Sequence, residues 1–169
     1  PHMADIYETY LSRDWRRQLA HPPFWRNVDN IPNETLWQAR FEAKLRLIAF
    51  VRDRLAAQYH RQGASATKIK AARAVLDPMV LTIGFARRFA AYKRADLIFR
   101  DLRRLEKIVN HTQRPVQIIF AGKAHPRDLA GQKILERVFR MAQRHNLFGK
   151  IVFIEDYDMN VGRLLVQCV

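Results

Sequence analysis

The chain has 169 residues, 49% of them hydrophobic, with a formal net charge of +14 and one cysteine, Cys168. That length and composition suit one domain, or a small domain with a helical appendage, and exclude a disordered chain. A single cysteine excludes an internal disulfide, no spacing suits a zinc site, and no apolar run approaches the length of a membrane span. A reducing, cytoplasmic setting is the expectation, since no signal-peptide pattern follows Met3. Pro1-His2-Met3 reads as a cloning scar and is set aside from fold reasoning.

Residues 4–77 read as a helical segment. Ile6 to Leu11 suits a short helix, and His21-Pro22-Pro23-Phe24 breaks the chain. A long helix then opens around Asn33, whose side chain suits a cap, with Glu34 at the positive end of the dipole. Trp37, Phe41, Leu45, Ile48, Leu55 and Tyr59 form its apolar stripe, and Gly63 ends it. A second helix over Ala66–Leu76 stops before Asp77-Pro78, because proline disfavours helical backbone in the residue before it.

Residues 78–169 have another rhythm. Met79–Gly84, Pro115–Ala121 and Lys150–Ile154 are short, continuous apolar runs, as expected of strands buried on both faces of a parallel sheet. Between them lie helical stripes, first Ile98, Leu102, Leu105 and Ile108-Val109, then Leu129, Ile134, Val138, Met141 and Ala142. A last helix begins near Asn160. The order strand–helix–strand–helix–strand predicts an α/β fold, a partial Rossmann-like parallel sheet preceded by the helical segment. The chain reads as an internal piece of a larger protein, whose sheet would continue past these strands.

Ligands of open α/β sheets bind beyond the carboxyl ends of the strands. The loop after the first strand, Phe85–Arg94, holds Arg87, Arg88, Lys93 and Arg94, where a helix is expected to begin. Arginine forks match phosphate oxygens, and cations crowded at a helix start call for a compensating anion. The alternative is a solvated basic loop paired with Asp96, Asp101 or Asp156, and the residues alone leave both open. Gly84 stands alone, so neither the dinucleotide fingerprint nor the P-loop is present, and side chains would have to hold the phosphate. In the second loop, Lys123 suits either a site or the sheet edge. His125 reads as structural, with Pro126 starting the next helix. In the third, Asp156 and Asp158 flank Tyr157 and are expected to balance the cations across the cleft, in preference to holding a metal.

Three segments in order carry a resemblance: Leu81–Ala95, Pro115–Pro126 and Ile151–Met159. They resemble the opening of the C-terminal domain of α-glucan (glycogen and maltodextrin) phosphorylases, most of all the short bacterial and archaeal branch. Ile31–Arg54, with Leu36-Trp37 and Lys44, resembles the stretch just before that domain. The resemblance implies a two-domain glycosyltransferase-B architecture, of which this chain would be half of the C-terminal domain, and pyridoxal phosphate as cofactor. It implies reversible phosphorolysis of α-1,4-glucan to glucose 1-phosphate, with phosphate and glucan as the partners. By position, Arg88 and Lys93 resemble the residues that bind the substrate phosphate, Tyr92 one that contacts the sugar, and Arg87 and Tyr157 residues on the cofactor side. Other branches carry lysine at Arg87, and the family usually has glycine where Cys168 stands. Nothing here resembles the Gly/Ser/Thr-rich segment with the cofactor lysine, so no catalytic set is complete and the piece is expected to be inactive alone.

Two other readings compete. A nucleotide-sugar transferase of the same architecture would also place basic residues after the first strand. A nucleic-acid-binding module would use the net charge, but the cations are spread over several helix faces and no strand is studded with aromatics. With later strands missing, an inner strand becomes an edge, so the chain is expected to self-associate there or to cover the edge with its N-terminal helices.

Overall fold

A computed structural model of the chain describes residues 3–169. Pro1 and His2, on which most of the expected cloning scar falls, lie outside the described residues, and Met3 opens the first helix. The chain divides into two compact units, Pro1–Arg46 and Leu47–Val169.

The first unit contains α1 (Met3–Tyr10), α2 (Pro22–Trp25) and the start of α3 (Asn33–Arg61). The Pro22-Pro23 pair does not break the chain. It opens α2 from the first helical positions, where a missing N–H costs nothing. Ile6, Ile31 and Ala39 form a small core with Tyr7, Leu11, Val28 and Leu36. The Tyr7 ring meets Trp15 and Trp25 edge-on, at centroid distances of 5.2 and 5.5 Å. Asn33 is the first helical residue and not the cap: the Pro32 carbonyl already accepts from the N–H groups of Thr35 and Leu36. The expected stripe is also out of phase here. Trp37 is 67% exposed while Ala39 and Ala43 are buried. Small side chains let the helix pack closely, and a reading weighted towards large apolar residues misses them.

In the second unit the remainder of α3 buries Leu47, Ile48, Val51, Leu55 and Tyr59, and Gly63 follows its end in the left-handed conformation. The helix α4 (Ala66–Ala72) is capped by Ser65 and ends short of the expected Leu76. Leu76 itself takes a left-handed φ of 62°. The Arg52 guanidinium holds this turn by donating to the carbonyls of Val75 and Leu76 at 2.8 and 2.7 Å. Such chelation of backbone oxygens offsets the strain of a branched residue with positive φ.

Strands β1 (Leu81–Ala86), β2 (Val116–Ala121) and β3 (Ile151–Ile154) form a parallel sheet in the order β1-β2-β3. The crossovers carry α5 (Leu102–Val109) and α6 (Leu129–Ala142), and α7 (Met159–Cys168) follows β3. This is the α/β architecture expected of a partial Rossmann-like sheet. In register, Leu81, Ile83 and Phe85 share one face with Val116, Ile118, Phe120, Ile151 and Phe153. Most of that face packs with Leu105 and Val109 of α5 and Val138 and Ala142 of α6. On the other face α7 meets β1 at Gly84, where a methyl would come within 2.7 Å of Val169.

Both faces of β2 and β3 are buried, as their apolar runs predict, but β1 departs from expectation. Leu81 is 62% and Ile83 48% exposed, because α5 packs over β2 and α6 over β3; β3, an edge as well, stays buried. At the amino end of β1 and β2 a buried polar knot sets the register. Gln117, 1% exposed, accepts from Asp77 N–H at 2.8 Å. Its amide donates to the Asp77 carbonyl and to Thr82 Oγ1, each at 2.8 Å. Gln117→Leu removes three hydrogen bonds at once, although Thr82 Oγ1 keeps the Val80 carbonyl, and should lower the unfolding free energy by about 3 kcal/mol. Ile83→Thr at the exposed edge should change it by less than about 1 kcal/mol. Urea titrations of the two variants check the contrast.

Candidate functional site

Beyond β1 and β2 the parallel pairing does not stop where the strands end. Arg87 N–H donates to the Ala121 carbonyl at 3.2 Å, and Phe89 N–H to the Lys123 carbonyl at 2.9 Å. Phe89 pairs with Ala124 as an isolated parallel bridge and buries its ring in the core. The two backbones run so close that a Cβ at Gly122 would strike the carbonyl oxygen of Arg87, and one at Gly131 that of Phe89.

The first loop corrects one expectation. No α-helix begins at its cations. The chain turns through a 3-10 turn at Ala91–Lys93, a left-handed Arg94 and a second 3-10 turn at Leu97–Phe99. The helix α5 starts at Leu102, capped by the Asp101 carboxylate, which accepts from Arg104 N–H at 3.0 Å. Helix-dipole attraction therefore contributes nothing at Arg87, Arg88, Lys93 or Arg94, and any anion there is held by side chains. Pro126 likewise does not start α6, which is capped by Asp128 through Gly131 N–H at 2.9 Å.

The acidic third loop does not face these cations either. Asp156, left-handed at φ 55°, lies 3.4 Å from Arg61 of α3, and its carbonyl accepts from Arg54 at 3.0 Å. Glu155 lies 3.6 Å from Arg61 and accepts from the Gln62 amide at 2.6 Å. Its backbone N–H donates to the buried Gln58 side chain at 3.1 Å. Asp158 caps α7 by accepting from Val161 N–H at 2.8 Å, with Arg54 at 3.7 Å. So α3 neutralises the acids that were expected to balance the first loop. Among the described residues, no carboxylate lies within ion-pairing distance of Arg87, Arg88, Lys93, Arg94 or Lys123.

One recess at this carboxyl edge, about 430 Å³, draws on all three loops and is lined by Arg88, Lys123, Ala124, His125, Pro126 and Tyr157. The Tyr157 ring stands over α7, its hydroxyl so near Gly162 that a methyl there would sit 2.7 Å from it. His125 Nδ1 accepts from Arg127 N–H at 3.1 Å, so its structural role holds, yet the ring also lines the recess. Of the residues singled out by sequence, Arg88 and Tyr157 come together here. Arg87, Tyr92 and Lys93 are not part of the lining. Tyr92 is 74% exposed on the 3-10 turn, and Lys93 Nζ lies 4.5 Å above its ring centroid. Lys123 joins the recess, which the residues alone left undecided. A larger recess of about 660 Å³ lies at the amino ends of the strands, with Arg103, Lys107, His145 and Lys150 around Phe148. That is the wrong edge for a ligand of an open parallel sheet, and Lys107 there complements the carboxyl end of α5.

The fold and the recess together define a parallel α/β segment of Rossmann type with a cation-lined pocket at the carboxyl edge of its sheet. No family model matches the chain. A glycogen phosphorylase of Aquifex aeolicus is 44% identical over 164 residues, 97% of this chain and 24% of that protein. A maltodextrin phosphorylase of Thermococcus litoralis is 42% identical over 164 residues, 97% of this chain and 19% of that protein. A glycogen phosphorylase of Mycobacterium tuberculosis is 38% identical over 147 residues, 87% of this chain and 17% of that protein. By sequence the chain belongs with the glycogen and maltodextrin phosphorylases, and it spans a quarter or less of the length of these relatives.

The Asp158 cap makes one part of the site pH-dependent. The N–H of Val161, and secondarily the Arg54 charge, hold its carboxyl below the ordinary value of 3.8. With the folded pKa depressed, the cap contributes fully above the ordinary aspartate range and is lost as pH falls through the depressed value. The amide protection factor of Val161 should therefore drop below about pH 4. In Asp158→Asn, which caps without titrating, it should stay flat across that range; hydrogen exchange read by NMR decides.

Proposed function

We propose that the chain is part of an α-1,4-glucan phosphorylase, an enzyme that transfers a glucosyl unit between α-glucan and inorganic phosphate, and that residues 78–169 supply the phosphate side of its site. Residues 4–77 are the helical segment that precedes this half-domain. The observation that carries the reading is the recess itself: Arg88 and Lys123 converge beyond parallel strands without a carboxylate partner, while nearby acids are tied to α3. Both side chains are exposed, and two cations brought to one recess without a carboxylate repel one another until an anion joins them. Phosphate and the phosphate of glucose 1-phosphate are such anions, and they are the small-molecule partners.

Arg88 offers a planar fork to two phosphate oxygens, and Lys93, on a mobile stem at the end of the 3-10 turn, closes on a third. Tyr92, exposed beside Lys93, is the group that meets the sugar. The residues also fit the phosphate end of pyridoxal phosphate: Tyr157, held over Gly162, forms a flat wall, and Arg87 belongs to the cofactor side. Bound there, the cofactor would supply a phosphate that exchanges a proton with the substrate phosphate. These side chains neutralise charge and hold both anions in place. No segment here resembles the family's cofactor-lysine segment, so the site is completed by residues outside this chain, and the setting is cytoplasmic.

In an NMR titration with inorganic phosphate against chloride at equal ionic strength, amides of the three loops should shift saturably. Arg88→Gln should weaken that response by about tenfold or more. The same 169-residue chain, given glycogen and phosphate, should release no glucose 1-phosphate. Loop amides that ignore phosphate, or turnover by this chain alone, would contradict the reading.

The bare β1 edge, with Leu81 and Ile83 exposed, is also the proposed surface for self-association, through its unpaired backbone groups. Sedimentation at rising concentration should show a dimer that Ile83→Lys abolishes. A wild-type chain that stays monomeric throughout argues against it.

A further inference from the structure

We infer that Lys123 and His125 are phosphate ligands of this recess alongside Arg88, with His125 acting as a neutral donor through Nε2–H; this rests on the phosphate reading above. Lys123 lines the recess opposite the loop that carries Arg88, and the Phe89 N–H bond to its carbonyl at 2.9 Å fixes its backbone. It has no carboxylate within ion-pairing distance among the described residues, although its charge reaches Asp158 and helps hold that carboxyl low. Lys123 is exposed, but backbone bonds pin its loop on both sides.

The rigidity is built from backbone. Asp128 N–H donates to the His125 carbonyl at 2.9 Å, and the Gln132 amide donates to the Pro126 carbonyl at 2.7 Å. Gly122 lies against the Arg87 carbonyl, so the loop is welded to the one that carries Arg88. The Arg127 N–H bond to His125 Nδ1 occupies that nitrogen's lone pair. In the neutral ring the proton must then sit on Nε2, the nitrogen left to donate to a ligand. A neutral donor beside two cations binds phosphate oxygen without adding a third charge for Arg88 and Lys123 to repel. Such preorganisation reduces the ordering cost of binding.

The test uses the 169-residue chain, inorganic phosphate as the probe, and chloride at equal ionic strength as the control. Lys123→Gln should weaken phosphate binding by about tenfold, and Lys123→Arg should restore most of it. His125→Gln, whose amide nitrogen overlays Nε2, should bind close to wild type. His125→Asn, which can only replace the Nδ1 acceptor, should keep the loop spectrum and lose about fivefold or more in affinity. Imidazole nitrogen shifts of His125 should report the Nε2–H tautomer and move on addition of phosphate. Lys107→Gln, in the recess at the other end of the sheet, should change nothing. If Arg88→Gln abolishes binding while Lys123→Gln and His125→Asn bind as wild type, this inference fails and the phosphate reading stands. If the wild-type loops ignore phosphate, both fail. Either His125 variant losing the native spectrum of α6 would move the residue back to a purely structural role.

Discussion

The site depends on a parallel ladder that outruns its strands. The N–H groups of Arg87 and Phe89 reach the carbonyls of Ala121 and Lys123, after the regular pairing of β1 with β2 has ended. Because these bonds alternate along the chain, Phe89 turns into the core while Arg88 is left to line the recess. Gly122 permits this approach, since a side chain there would collide with backbone. The positions of Arg88, Lys123 and His125 relative to one another therefore follow from main-chain bonding, which is less easily disturbed than side-chain packing.

Charge is sorted by distance from that ladder. The acids of the third loop, Glu155, Asp156 and Asp158, are drawn to Arg54, Arg61 and Gln62 near the end of α3. Asp96 pairs with Arg137 of α6. With its natural counterions engaged elsewhere, the recess keeps a positive field for something outside the chain. The proposed phosphate site does not require a glycine-rich loop, and Gly84 serves packing against α7.

Much of this was legible in the residues. Continuous apolar runs located β2 and β3, because a strand covered on both faces has no polar side to show. Contiguous segments such as Pro115–Pro126 carry the resemblance to the phosphorylases. What failed did so for local physical reasons. The phase of α3 was lost near Trp37 because its alanines, and not its largest residues, face inward. The start of α5 was placed too early because two 3-10 turns separate β1 from the helix, and such turns leave no periodic trace. The exposure of β1 depends on where the crossover helices pack, which its own residues cannot encode. A structural role for His125 accounts for Nδ1 and is silent about Nε2. The tie between acids and α3 joins residues about a hundred positions apart, beyond the reach of local pattern.

The pairs that hold the third loop are solvent-exposed, with Arg61 54% and Asp156 71% accessible. Exposed pairs weaken as ions accumulate around them. Salt then reaches the recess by two routes: it competes with the proposed phosphate for the cations, and it slackens the loop that carries Tyr157. Ionic strength would act on this pocket more steeply than its few positive charges suggest, as both an adversary of the ligand and a solvent for the wall that receives it.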